Sequence, residues 1–131
     1  MRRLFILIIS VLAILPGCSS NKDKLINELK SEREDRYSVL AFKSEEVSEE
    51  KFQAEINQTF NDPEIWENKL YAFEVFVTIP TEPYNYKKLL EIEELPQYIV
   101  LDTEEIVFRS NDIEELESFL LGDEYSAHDH H

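Results

Sequence analysis

Few side chains in this 131-residue chain have the chemistry of a nucleophile or a soft metal ligand. They are one cysteine, Cys18, and three histidines, His128, His130 and His131, all near the ends of the sequence. A thiolate nucleophile needs a base beside it, and no histidine occurs before His128. A lone thiol also has no partner for an internal disulfide. The "AHDHH" tail has the spacing of a transition-metal chelate. It follows a helix stop, however, where ordering the chain opposes binding, so the expectation is no metal site, with these three imidazoles the weaker reading. The 28 acidic residues include no pair set apart as a general acid and base, and a solvated surface is their expected role. The part after Cys18 has one glycine, Gly122, and so no phosphate cradle. It has no histidine for a Ser–His–Asp set before the tail. The expectation is a protein that is not an enzyme.

Cys18 gains its meaning from what precedes it. Met1-Arg2-Arg3 is a short positive segment, and "LFILIISVLAIL" (Leu4 to Leu15) is a 12-residue apolar run with a single serine. A membrane span needs about 20 residues, whereas 12 fits the apolar region of a secretory signal. The closing Leu15-Pro16-Gly17-Cys18 resembles the bacterial lipobox, with leucine at −3, a small residue at −1 and cysteine at +1. Pro16 at −2 departs from the more usual alanine or serine. The resemblance implies residues 1–17 as a signal peptide and a diacylglycerol thioether on Cys18, with a further acyl group on its amine in some hosts. Two acyl chains anchor a protein stably where one does not. The implied location is the outer face of the bacterial cytoplasmic membrane, or the outer membrane in a host that has one.

Charge narrows the partners. The chain carries −15; without Arg2 and Arg3, 11 basic groups face 28 acidic ones, a charge of −17. Such a surface repels nucleic-acid phosphates and anionic lipid headgroups, so no nucleic-acid partner is expected. Hydrophobic residues make up 43%, enough to take the chain out of the acidic disordered class.

The remaining elements follow from local patterns. Residues 18–36 read as a lipidated tether, "SSNKDK", running into a helix from Asp23 to Asp35 with Leu25, Ile26 and Leu29 on one face, either packed on the domain or standing as a solvated stalk. "YSVLAF" (Tyr37 to Phe42) reads as a buried strand. The helix after it is capped by Ser48, with Val47 placed to staple onto Phe52 and with Phe52, Ile56 and Phe60 on one stripe. Asp62 and Pro63 mark a second helix start. "LYAFEVFVT" (Leu70 to Thr78), apolar on both faces apart from Glu74, reads as a central or near-central strand. A helix from Tyr84 to Leu95 comes next. "QYIVLD" and "IVFRS" form a hairpin across "TEE". A final helix is capped by Asp112, with Glu115 at capping-box spacing, and stops at Gly122.

This α/β order, βαβαββα with a central mixed sheet and a preceding N-terminal helix, resembles the thioredoxin-like fold. The segment Leu95 to Leu120 carries the likeness: a proline opening the third strand, a hairpin, then an amphipathic helix. The domain spans residues 37–122 and is followed by an acidic, histidine-bearing tail (123–131) expected to be disordered. The resemblance implies a cis bond before Pro96. It also implies an extended-peptide site at Val47, Leu95 and Pro96, with Tyr84 and Tyr86 nearby. Where that family carries C-x-x-C, this chain has Val47, Ser48, Glu49 and Glu50. Thiol exchange needs a thiolate, so the expectation is a binding module without redox chemistry or cofactor. Its implied partner is an envelope protein. A structural role beside peptidoglycan is the alternative.

Overall fold

The computed structural model describes residues 20–122. Cys18, the signal segment and His128, His130 and His131 therefore lie outside the described residues. In chain order the elements are α1 (Asn21–Leu29), β1 (Tyr37–Phe42), α2 (Glu49–Thr59), α3 (Pro63–Asn68), β2 (Leu70–Phe76), α4 (Tyr86–Leu89), β3 (Gln97–Leu101), β4 (Ile106–Ser110) and α5 (Ile113–Leu121). The strands form one sheet in the order β2-β1-β3-β4. β1 runs parallel to β2 and antiparallel to β3, and β4 is antiparallel to β3. Parallel neighbours need a long crossover, which α2 and α3 supply. The result is an α/β architecture with a mixed four-stranded sheet.

Successive strand residues point to opposite faces, and both faces of this sheet are covered. Val39, Ala41, Tyr98, Val100 and Phe108 face a core built with Phe52, Ile56, Phe60, Ile65, Leu116 and Leu120 from α2, α3 and α5 and the α2–α3 junction. Leu40, Phe42, Ile99 and Leu101 face a second core with Leu25, Leu90 and Ile92. This double cover is why "YSVLAF" and "QYIVL" are almost unbroken apolar runs, and every residue of β3 is buried.

β2 corrects the expectation of a central strand, because it lies at the sheet edge. Its apolar residues report that both of its faces are partly covered; they carry no information about whether a second strand pairs beside it. Phe73 and Val75 pack against the first core, Phe76 against the second, while Tyr71 stays 42% exposed.

Local chemistry sets most boundaries as expected. Ser48 accepts from the Lys51 amide at 3.1 Å, and Asp62 from the Glu64 amide at 2.9 Å with Pro63 in the first turn. The start of α5 differs from a capping box. Asp112 accepts from the Glu114 amide at 2.8 Å, but the Asp112 amide donates to Ser110 Oγ at 2.9 Å. Ser110 in turn donates to Glu115 at 2.5 Å. A serine thus stands between the two ends of the expected reciprocal pair.

Two helices are shorter than their patterns predict. α1 ends at Leu29, where Ser31 turns the chain by accepting from the Arg33 amide and donating to the Arg33 carbonyl. The Ser31 amide then donates to the Asp102 carbonyl at 3.0 Å. α4 is a single turn, because the chain reverses at Glu91 (φ 56°) and buries both Leu90 and Ile92. Arg109 holds that reversal, donating to the Leu90 carbonyl at 2.8 Å and the Glu91 carbonyl at 3.3 Å. The β3–β4 turn, which lacks glycine, is held by Asp102 accepting from the Glu104 and Glu105 amides at 2.7 and 2.9 Å. Among the described residues, no helix is long and apolar enough to cross a membrane.

Candidate functional site

The sheet register decides which sequence-predicted residues meet. Phe42, at the carboxyl end of β1, pairs with Gln97 at the start of β3. Pro96 therefore lies at the sheet end from which the chain leaves β1 towards Val47. The Leu95–Pro96 bond is cis, as the family resemblance implies; Glu82–Pro83 is a second cis bond, which the resemblance does not imply.

The loop between β1 and α2 is folded on a lysine. Lys43 Nζ donates to the Ser44 carbonyl at 2.9 Å and the Val47 carbonyl at 2.7 Å. Ser44 Oγ accepts from the Glu46 amide at 3.2 Å. An ammonium on two carbonyls is a charge-assisted arrangement, and it fixes Val47 where it packs, half-buried, against the first core.

On the other side of the end strand, Asn111 Nδ2 donates to the Pro96 carbonyl at 2.7 Å. Gln97, nearly buried, donates from Nε2 to the Ser110 carbonyl at 3.3 Å. The Pro96 carbonyl thus already has one donor, leaving a single lone pair for any extended segment laid against it. Sequence reasoning missed Lys43, Gln97 and Asn111. Nothing in their local pattern signals these contacts, which span the loop, the sheet and the α5 approach.

Tyr84, Tyr86 and Leu95 all pack with the second core, on the opposite face from Val47. Tyr86 sits 6.5 Å from Phe42 and 5.6 Å from Phe76, edge-on to both. Tyr84 donates to Glu28 at 3.4 Å. Burial raises both phenol pKa values; the Glu28 carboxylate adds to the effect at Tyr84, and Glu74 and then Glu28 at Tyr86. Both stay neutral at physiological pH. Of the five residues expected in one site, Val47, Leu95, Pro96 and Tyr86, which packs on Phe42, come to the same sheet end, but Val47 packs into the first core and Leu95, Tyr84 and Tyr86 into the second, on the opposite face.

Next to Pro96 lies a shallow hollow of about 320 Å³ bounded by Glu93, Glu94, Gln97, Arg109 and Asn111. Arg109 is committed to backbone carbonyls, so the hollow presents its glutamates to solvent. Among the described residues, no group of three or more His, Cys, Asp or Glu side chains is arranged to hold a metal ion.

No family model matches this chain, and no curated protein matches it. Among solved structures it is similar to the crystal structure of a designed protein, with 19% identity over 75% of this chain and 86% of that one, at a TM-score of 0.49. That overlap is too loose to carry function.

Proposed function

We propose that this chain is a lipid-anchored protein of the outer face of the bacterial cytoplasmic membrane, with a thioredoxin-like domain that binds a partner and has no redox chemistry. The observation that carries the anchor is Leu15-Pro16-Gly17-Cys18 set directly after a 12-residue apolar run. Its covalent group is diacylglycerol on the Cys18 sulfur.

Support for the fold reading is the strand order β2-β1-β3-β4, with only the β1–β2 pair parallel, and Pro96 immediately before β3. The helix that follows β1 begins with Ser48 and Glu49 in place of sulfur, which leaves binding as the use of that end. An extended segment adding backbone hydrogen bonds beside Pro96 is a physically sound mode. Glu93 and Glu94 beside it, on a chain of −15, favour a basic segment of an envelope protein. Crosslinking in intact cells tests this. A discrete protein adduct is the expected result, whereas co-sedimentation with the cell-wall sacculus alone would replace binding with a structural role at peptidoglycan.

A further inference from the structure

Where α1 begins changes what the anchor does. The sequence suggested a polar tether through Lys24, but α1 starts at Asn21, with Ser20 as its cap accepting from the Asp23 amide at 3.3 Å. Cys18 to Ser20 is then two residues of chain, a reach of at most about 7 Å. Nor is α1 a free stalk. Leu25 is fully buried, and Ile26 and Leu29 pack against the second core. Lys22 lies 3.6 Å from Glu91, and Glu28 accepts from Tyr84.

The first half of α1 also borders the β3–β4 hairpin. Lys22, Asp23 and Ile26 share a hollow with Glu104, Glu105 and Ile106. The register puts this hairpin and the Pro96 end at opposite ends of the sheet, since β1 pairs from Ser38–Leu101 to Phe42–Gln97.

We propose that the acyl chains on Cys18 hold the first turn of α1 and the β3–β4 hairpin against the lipid headgroups, with the Pro96 end directed away from the bilayer. The bilayer is thus an interaction surface of the folded domain as well as the medium of its anchor. This rests on the lipid-anchor reading above. The orientation rests on the tether and not on charge. Lys22 and Lys24 stand against Asp23, Asp102, Glu104 and Glu105 at this face. Anionic headgroups therefore repel it, and the two-residue reach from Cys18 is what holds it there.

The acidic residues themselves report the orientation. The processed, lipid-bearing protein is placed in vesicles of phosphatidylcholine and phosphatidylglycerol and its carboxylates are labelled with a carbodiimide and an amine. The control carries a Gly/Ser linker of about 20 residues after Ser19, with a mean reach of about 25 Å. Asp23, Glu104 and Glu105, all exposed in the fold, are expected to label several-fold more slowly in the native chain than in the linker variant, with Glu49 and Glu50 labelling equally in both. Equal labelling at Asp23, Glu104 and Glu105, or protection at Glu49 and Glu50, overturns the orientation while a diacylglycerol mass on Cys18 keeps the anchor. An unmodified Cys18 thiol in the extracted protein overturns both.

Discussion

Tyr98 carries the largest electrostatic perturbation among the described residues. It is 1% exposed, stacked 6.2 Å from Phe52, and its pKa is pushed far above the ordinary phenol value, first by burial and then by Glu55 and Asp112. The folded state holds the proton more tightly than the unfolded state does. Its contribution is therefore intact below the unfolded value and is lost as pH rises past about 10. Denaturant melts from neutral to alkaline pH should show stability falling from about pH 10 upward, and Tyr98→Phe should flatten that fall. An unchanged alkaline slope in the variant would assign the loss to other groups. Asn111 and Lys43 act at the same scale through hydrogen bonds. Each holds a backbone carbonyl at the Pro96 end, so the shape of that end depends on side chains outside every apolar pattern.

α1 is the element whose packing the sequence leaves open and the structure decides. A stalk would tolerate truncation of Leu25 within about 0.5 kcal/mol. A helix sealing the second core would not: Leu25→Ala should cost about 2–5 kcal/mol, the range for emptying a fully buried leucine site. Chemical denaturation of the two proteins decides between them. The apolar positions of α1 were legible in the sequence, as were β1, α2 and its Ser48 cap, the Asp62-Pro63 start, the hairpin and α5, because each rests on near-neighbour chemistry. The lengths of α1 and α4 were not legible. Each is cut short by a distant partner, Ser31 bonded to Asp102 in one case and Arg109 gripping the Leu90 and Glu91 carbonyls in the other. The edge position of β2 was hidden for a related reason. Leu70, Phe73, Val75 and Phe76 encode covered faces, while pairing is a property of the backbone. The site was legible only in part: Pro96 and the cis bond before it follow from the family resemblance, but that Val47 packs on one face of the sheet and Tyr84, Tyr86 and Leu95 on the other is set by a core that no local pattern reveals.

At the scale of the whole molecule, a strongly acidic domain begins two residues after Cys18, the proposed lipid attachment point. Its sheet separates a hairpin beside the first turn of α1 from an end where Pro96, Val47 and exposed glutamates meet. The chain has no sulfur beyond Cys18 and Met1, so once Cys18 is acylated no thiol is left for exchange chemistry. On the proposed reading, location and binding are the two properties that account for the sequence. The anchor carries the greater weight, since both the inferred orientation and the loss of the thiol follow from it. Intact-mass spectrometry of the protein extracted from bacterial membranes measures it directly. The account predicts a chain beginning at Cys18 with the added mass of diacylglycerol, whereas a chain retaining Met1 with an unmodified thiol would contradict it.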